Sequence, residues 1–500
     1  MKVTIAKTAG FCMGVRRAVE MALDAANRSR APIYTYGPLI HNPQVLSILD
    51  EKGIAVLDDI PASGSGIVIV RAHGVPPQDK QALKDAGFDV IDATCPRVIR
   101  VQSIISRHAR QGYAVIIIGD RQHPEVRGLL GYAGGNGYVV DSLQALQQLP
   151  DFENAIIVAQ TTQNTGFFEA VRQWASRRHP EYKVFTTICD STEKRQAEVK
   201  AMASAVDSVI VVGGYNSGNT QRLAETARRA DKPTLHVETA DDLDVGELSA
   251  AGHIAITAGA STPNWIIKQV YQDLETRLMQ KGGRLRRWGF TLMRNLMMSN
   301  LYVAAGGGCL AVAGAWLQGL SFHLSWVLIA ALYILSMHTV NHMLERKSDR
   351  YNEPYRAEFY QKNRYTLSVL AAISGVGALV TAWRLGPLLF VLLLCMCVLG
   401  LFYNVEFKSR DGGKIGPRLK DVPGSKTVLT ALAWGIVAAL FPVLDARGYI
   451  TGASAVVFLW SSALVLVRTA YFDIIDMQGS RIVGRETIPI LLGAHRTLRL

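Results

Sequence analysis

Charged side chains are scarce in the second half of this 500-residue chain, which excludes a purely soluble protein. Asp, Glu, Lys and Arg make up 19% of the sequence, and the stretch Asn295–Leu344 contains none of them. Further uncharged stretches follow at Tyr365–Trp383, Leu385–Val405, Thr427–Leu444 and Gly448–Val467. Apolar runs of about 20 residues can cross a bilayer as helices. The sequence therefore predicts a soluble first half and a membrane-embedded second half.

Other absences narrow the class of protein further. The N-terminus has no long apolar segment, so we expect no signal peptide. No G-x-G-x-x-G fingerprint is present, which makes a nicotinamide enzyme a weak alternative. The net charge is +12, but many of the cations flank the apolar stretches without an aromatic–basic stripe, so we expect no nucleic-acid partner.

The distribution of Lys and Arg predicts the membrane topology. The uncharged stretches divide into six spans, the first two of which lie within Asn295–Leu344. Basic segments precede span one, connect spans two and three, connect spans four and five, and follow span six, whereas the other loops hold almost no cations. Positive loops stay in the cytoplasm. We therefore expect a multi-pass protein of the inner (cytoplasmic) membrane, with both ends and the soluble half in the cytoplasm.

Three of the six cysteines occupy equivalent places in the soluble half. Strands and amphipathic helices alternate there, which predicts an α/β architecture. Cys12, Cys95 and Cys189 each lie in a turn between a strand and a helix start, at similar separations that suggest three related units. A helix start stabilises a thiolate. The pattern alone is compatible with three inert core cysteines, a zinc site, or an iron–sulfur cluster with one open iron.

Polar loops accompany these cysteines. His41, His73 and His123 lie in loops rich in glycine and proline, which predicts a polar pocket suited to an anion. The segment Val211–Thr220 follows a predicted strand and opens a helix, a context that favours phosphate binding.

The first half resembles the LytB/IspH family of reductases over residues 1–275. The matching blocks are AGFCMGVRRAV, YGPLIHNPQV, RAHGVPP, DATCPRV, HPEVRG, QTTQN, TICDSTEKRQ, VVGGYNSGNT and GASTP. The resemblance implies a trefoil of three α/β units around a 4Fe–4S cluster held by Cys12, Cys95 and Cys189. It also implies reductive removal of the hydroxyl group of 4-hydroxy-3-methylbut-2-enyl diphosphate, which gives isopentenyl and dimethylallyl diphosphates. The electron donor is expected to be of the reduced ferredoxin or flavodoxin type.

The same resemblance assigns roles to further residues. Glu125 is expected to supply the proton, Thr161 to position Glu125 and the alcohol, and His123 to lie beside this relay. The residues expected to bind the diphosphate are His41, His73, Ser217, Asn219 and Ser261, and His123 and Thr161 are also expected to contact the substrate. Family members commonly have a second serine where this chain has Gly218.

The second half resembles the UbiA family of intramembrane prenyltransferases. Asn341, Glu345 and Asp349 share one helix face at the end of span two, and Asp473 and Asp476 lie at the end of span six on the same side of the membrane. Two carboxylate clusters on one membrane face suit Mg²⁺ bridging to a diphosphate. The sequence differs from the family motifs at His342, Glu345, Gln478 and Ser480, and it ends after six spans, so the domain is expected to be incomplete at its C-terminus or degenerate.

These features predict a fused isoprenoid enzyme. Its expected parts are a reductase domain over residues 1–280, a basic linker over 281–294 and an all-α transmembrane prenyltransferase domain of about six helices over 295–500, in contact with membrane lipid. The alternatives are a reductase whose membrane half is only an anchor or lipid-binding module, and a zinc hydrolase in place of the reductase.

Overall fold

The computed structural model describes residues 2–244, 246, 248, 251–280, 283–344, 346–403, 422, 424–484 and 487–499. The chain divides into two compact units, Met1–Leu278 and Met279–Leu500.

The first unit is built from three parallel sheets of four strands each. The strands are β1 (Lys2–Ile5), β2 (Ile33–Tyr36), β3 (Ile54–Leu57), β4 (Ile67–Val70), β5 (Asp89–Asp92), β6 (Ala114–Ile118), β7 (Gly137–Val140), β8 (Ala155–Ala159), β9 (Lys183–Val184), β10 (Ser208–Val212), β11 (Thr234–Val237) and β12 (His253–Ala258). The strand orders are β1–β12–β10–β11, β3–β2–β4–β5 and β7–β6–β8–β9. The predicted arrangement of three related α/β units is therefore confirmed.

Helices cover these sheets and connect them. Those of the first unit are α1 (Met13–Arg28), α2 (Pro43–Glu51), α3 (Pro77–Asp85), α4 (Pro96–Ala109), α5 (Pro124–Leu130), α6 (Leu143–Gln147), α7 (Thr165–Arg178), α8 (Asp190–Ala203), α9 (Gly218–Arg228) and α10 (Asn264–Gln280). The central strands β6, β8 and β10 are buried along their whole length, and their sequences AVIII, AIIVA and SVIVV are almost continuously apolar. Such sequences suit parallel strands that are covered on both faces.

Three of the helices connect one sheet to the next. Helix α1 runs from the first sheet to the second, α4 from the second to the third, and α8 from the third back to the first. Each is the next element in the chain after an edge strand, namely β1, β5 or β9. The starts of these helices are therefore equivalent positions in the three-part fold.

The regular elements described in the second unit are all helices. Its helices are α11 (Arg284–Met298), α12 (Leu301–Leu317), α13 (Leu324–Leu344), α14 (Arg346–Asn352), α15 (Pro354–Lys362), α16 (Arg364–Leu385), α17 (Pro387–Phe402), α18 (Ser425–Gly435), α19 (Phe441–Arg447), α20 (Gly452–Ile475), α21 (Met477–Ile482), α22 (Ile488–Leu492) and α23 (Ala494–Thr497), and a π-helical segment, Ile436–Leu440, joins α18 to α19.

The number of helices long enough to cross a membrane is smaller than predicted. Each of the six predicted spans contains an apolar helix, but within the described residues only Leu324–Leu344, Arg364–Leu385, Ser425–Arg447 and Gly452–Ile475 are long and apolar enough by themselves. The pair α11 and α12 would give a fifth span, bent by 68°. Helix α17 has 16 described residues and begins at Pro387, directly after Gly386.

Candidate functional site

The three cysteines of the first unit occupy the starts of the three connecting helices. Cys12, Cys95 and Cys189 are the N-cap residues of α1, α4 and α8, and all three thiols are free and partly buried. Helices α1 and α4 start close together. A Cβ atom added at Gly14 of α1 would lie 2.4 Å from the sulfur of Cys95, which caps α4. Burial raises the pKa of the Cys95 thiol, and the neighbouring Cys12 and Cys189 raise it further. The fold therefore brings together three thiols that the sequence separates widely.

These thiols line a cavity of about 90 Å³ together with every other residue predicted for the reductase site. Three thiols at positive helix ends suit an anionic iron–sulfur cluster, since thiolates are the usual ligands of iron in such clusters. The buried Arg195 adds a cation close enough to Cys12 and Cys189 to interact with both. Its guanidinium donates to the carbonyl of Gly10 and to Ser191. The donor set and the surrounding charge thus fit the predicted cluster.

The three loop histidines form one cluster. The ring centroids of His41 and His73 are 4.8 Å apart, those of His73 and His123 are 5.4 Å apart, and those of His41 and His123 are 5.9 Å apart. Burial lowers the pKa of all three, to about 4 for His123. A neutral imidazole donates one N–H and accepts one hydrogen bond. The buried atoms His41 Nε2 and His73 Nδ1 have no hydrogen-bond partner among the described residues, which suits a bound ligand.

Glu125 and Thr161 form a buried hydrogen-bonded pair. The backbone N–H and the hydroxyl of Thr161 donate to the two carboxylate oxygens of Glu125, at 2.6 and 2.9 Å. Burial raises the pKa of Glu125 to about 6, although the bonds from Thr161 and the charge of Arg222 oppose this. His123 Nδ1 accepts from the Glu125 backbone N–H at 3.1 Å. A carboxyl group with a pKa near neutrality can donate a proton in turnover.

Ser217, Asn219 and Ser261 line the same cavity. Ser217 is the N-cap of α9 and accepts from the N–H of Thr220, and Ser261 donates to the backbone carbonyl of His41 at 3.1 Å. The buried Asn219 Nδ2 has no hydrogen-bond partner among the described residues. A Cβ atom added at Gly218 would meet only Arg222, at 4.0 Å, so the cavity has room for a side chain there.

Strand topology explains why these residues meet. His41 and His73 follow β2 and β4, His123 and Thr161 follow β6 and β8, and Ser217 and Ser261 follow β10 and β12. These are the two inner strands of each sheet. Carboxyl ends of parallel strands are the usual ligand-binding edge of open α/β sheets. Each sheet thus contributes two polar residues after its inner strands, and each connecting helix contributes one cysteine.

Two arginines near the site were not identified from the sequence. Arg195 lies six residues after Cys189 on α8, and Arg222 donates from α9 to the carbonyl oxygen of Thr162 at 2.5 Å. Arg195 falls within the matching block TICDSTEKRQ, so its position was visible, but isolated arginines on helices are usually solvated and gave no reason to select it.

A second cavity, of about 220 Å³, lies within the second unit. Asn341, Asp349, Asp473 and Asp476 all line it, so four of the five predicted Mg²⁺ ligands are brought together. Glu345, the fifth, lies outside the described residues. The cavity wall also carries the cations Arg356, Lys426 and Arg468.

Two of these acids already have close hydrogen-bonding neighbours. His342 Nδ1 and Asp349 Oδ2 are 2.8 Å apart, and the hydroxyl of Thr427 donates to Asp473 at 2.5 Å. His342 was one of the expected departures from the family motif, and it pairs with one of the predicted Mg²⁺ ligands. Carboxylates and cations around one cavity suit a diphosphate with its metal.

The comparisons with known proteins divide at the same place as the fold. Residues 3–275 match the model of the LytB protein family, and residues 296–500 match that of the UbiA prenyltransferase family. Proteins of Geobacter sulfurreducens and Geotalea uraniireducens named 4-hydroxy-3-methylbut-2-enyl diphosphate reductase are each 42% identical over 275 residues, covering 55% of this chain and 97% of each relative. The solved structure of the E-1-hydroxy-2-methyl-but-2-enyl-4-diphosphate reductase from Plasmodium falciparum is 28% identical, with a TM-score of 0.52, over 56% of this chain and 88% of that chain.

Proposed function

Since this chain belongs to the LytB family and continues into a part that matches UbiA prenyltransferases, we propose that its first unit is a 4-hydroxy-3-methylbut-2-enyl diphosphate reductase. The observation that carries the proposal is the single cavity that holds the three thiols, the histidine cluster and the Glu125–Thr161 pair. The reaction takes up two electrons and two protons, releases the hydroxyl group as water, and leaves isopentenyl or dimethylallyl diphosphate.

The LytB family uses an iron–sulfur cluster, and we assign a 4Fe–4S cluster to Cys12, Cys95 and Cys189. When bound, this group supplies the electrons and a Lewis-acidic iron for the substrate hydroxyl. The cysteine thiolates hold it at the three helix starts, and the buried charge of Arg195 offsets part of its negative charge.

The remaining residues bind the diphosphate and transfer the proton. His41, His73, Ser217, Asn219 and Ser261 offer donors to the diphosphate oxygens. Glu125 protonates the leaving oxygen, and Thr161 fixes the orientation of the Glu125 carboxyl group through two hydrogen bonds. His123 caps the helix that carries Glu125 and contributes a third ring to the histidine cluster.

The partners and the location follow from the two halves. Apolar helices and the UbiA match indicate a multi-pass membrane protein. We propose the inner membrane with the reductase in the cytoplasm, where a reduced ferredoxin or flavodoxin type protein can deliver electrons. The proposed division is a reductase domain over 1–280, a basic connection over 281–294 and a membrane domain over 295–500 in contact with lipid.

Substrate conversion tests the reductase directly. The full chain, purified anaerobically in detergent, is incubated with a chemical reductant and 4-hydroxy-3-methylbut-2-enyl diphosphate, and the products are identified by mass spectrometry. We expect both five-carbon diphosphates from the wild type and only traces from Glu125→Gln. The exposed Glu193→Gln serves as the matched control and should behave like the wild type. No conversion by any of the three proteins, with iron and sulfide bound, would contradict the proposal.

A second function is supported by the cavity of the second unit. Four of the predicted Mg²⁺ ligands line it beside three cations, which suits the ionisation of a prenyl diphosphate. We propose Mg²⁺-dependent prenyl transfer, with Asp349 and Asp473 as the principal ligands. In membranes, Asp349→Ala and Asp473→Ala should abolish transfer, whereas Glu358→Ala, an exposed acid outside the cavity, should not. Transfer that survives both substitutions would assign the reaction elsewhere, and its absence from the wild type would favour an anchor or lipid-binding module.

A further inference from the structure

Helix α11 has an unusual environment for a helix with so many apolar residues. None of its residues is buried, and its large apolar side chains project into open space: Leu285 is 83% exposed and Trp288 is 64% exposed. Met293 and Met297 are also about half exposed. Monomeric proteins seldom leave a continuous apolar face uncovered, so a partner of some kind is expected for this face.

The residues of α11 separate into two faces. Leu285, Trp288 and Leu292 follow at intervals of three and four residues and therefore lie on one side. Arg287 and Arg294 lie on the opposite side, Arg284 lies at the border between the two faces, and the helix contains no acidic residue. A basic face next to an apolar face is the pattern of a helix that lies in the interface of an anionic membrane.

The connection to α12 orients the helix. The two helices form an angle of 68°, so if α12 crosses the bilayer, α11 lies closer to the membrane plane than to the membrane normal. The bend is defined by Asn300, which has a left-handed backbone (φ 62°), is 1% exposed, and donates from its side chain to the Tyr360 hydroxyl at 2.8 Å. An asparagine anchored in this way holds the bend in place.

We propose that α11 is an interfacial helix that docks on the anionic phospholipid surface, with Leu285, Trp288 and Leu292 among the acyl chains and the arginines at the lipid phosphates. Charge complementarity and continuity with the membrane helices favour lipid over a protein partner. Each arginine near an anionic surface contributes about 1 kcal/mol, which is a factor of roughly five in partitioning, and added salt weakens it. The proposal concerns the second unit alone and does not depend on its catalytic activity.

Photo-crosslinking identifies the occupant of this face. A photoreactive phenylalanine derivative replaces Trp288 in the full chain. The matched control carries the same derivative in place of Thr291, which is exposed on the polar face. Both proteins are placed in nanodiscs of mixed phosphatidylcholine and phosphatidylglycerol. We expect lipid adducts at position 288 and several-fold fewer at position 291. Adducts of position 288 with a second copy of this chain or with another segment of the same chain would overturn the proposal.

Arginine substitution tests the charge preference. In the triple variant R284Q/R287Q/R294Q, the ratio of phosphatidylglycerol to phosphatidylcholine adducts should fall by at least threefold, whereas R107Q/R110Q/R178Q in the first unit should leave it unchanged. No residue of α11 is buried, so the first variant should retain the fold, which the thermal unfolding temperature verifies. An unchanged ratio in a folded triple variant would contradict electrostatic docking.

Discussion

Glu125 illustrates how the environment of a single residue defines its role. It is 2% exposed, and its carboxylate has hydrogen bonds from both the backbone and the side chain of Thr161. Burial raises its pKa from 4.5 to about 6, so a far larger fraction stays protonated close to neutral pH than for an ordinary carboxyl group. An exposed carboxyl group would be almost fully ionised there and could not serve as the proton donor.

Glu125→Gln should retain the shape of the site and remove the transferable proton. We expect kcat to fall by about 10²–10⁴-fold, the usual contribution of a general acid, while iron content and substrate affinity stay close to those of the wild type. Single-turnover kinetics with an iron assay measures both. Normal turnover with an intact cluster would show that another group supplies the proton.

The pKa of Glu125 also predicts the pH dependence. As the proposed proton donor, Glu125 must be protonated to act, so kcat/KM should be high below pH 6 and decrease as the pH rises through about 6, because the carboxyl group then ionises. The residual activity of Glu125→Gln should lack this decrease. A rate profile between pH 5 and 8, measured with the same reductant throughout, separates these outcomes, and the same decrease in both proteins would assign the ionisation to another group.

Gly218→Ser should add a hydroxyl group beside the proposed diphosphate site, at the position where the family resemblance implies a serine. A Cβ atom at this glycine meets nothing closer than 4.0 Å, so the added side chain should fit without distorting the site. One hydrogen bond to the diphosphate contributes about 1 kcal/mol, so the KM for substrate should fall roughly fivefold with little change in kcat. Gly218→Ala supplies the matched control without a hydroxyl, and an equal effect of both substitutions would exclude the hydrogen bond.

At the scale of elements, the approach of α1 to α4 controls the geometry of the cysteines. Gly14→Ala should improve helix propensity, yet the new Cβ atom would lie 2.4 Å from the Cys95 sulfur, which forces the two helices apart. We expect iron content per chain to fall by more than half and the bound iron to be lost faster in air. Gly306→Ala, a mid-helix glycine with open space around it, is the control. Unchanged iron binding in Gly14→Ala would mean that the helices can separate without cost.

The helices and strands also show which parts of the fold could be predicted from the sequence alone. Alternating strands and helices predicted the α/β class, and the strand expected before the phosphate-binding segment is present at Ser208–Val212. The six spans were less accurate, because uncharged length does not reveal that α17 begins only at Pro387 or that the chain bends at Asn300. The contact between His342 and Asp349 joins α13 to α14, and the spacing of the residues gives no indication of which side chain pairs with which.

At the scale of the whole molecule, each of the two units contains one of the two cavities described above. Each cavity is lined by residues that are distant in sequence. In the first unit, the thiols and the polar residues converge because three similar α/β units present equivalent strand ends to one centre. In the second, acids from α14, α20 and the adjoining turn meet cations from α15, α18 and α20. The residue types of both cavities were visible in the sequence, but their shared location depends on topology, which the family resemblances implied.

Metal and sulfide analysis of the anaerobically purified full chain tests the central claim most directly, namely that Cys12, Cys95 and Cys189 hold an iron–sulfur cluster. Iron, zinc and acid-labile sulfide are measured in the wild type, in Cys95→Ser and in Cys309→Ser, whose cysteine lies in α12 of the second unit. We expect about four irons and four sulfides per chain in the wild type and in Cys309→Ser, and less than half of these in Cys95→Ser, because a hydroxyl group is a poor replacement for an iron-bound thiolate. One zinc per chain without iron or sulfide, or full iron content in Cys95→Ser, would contradict the claim.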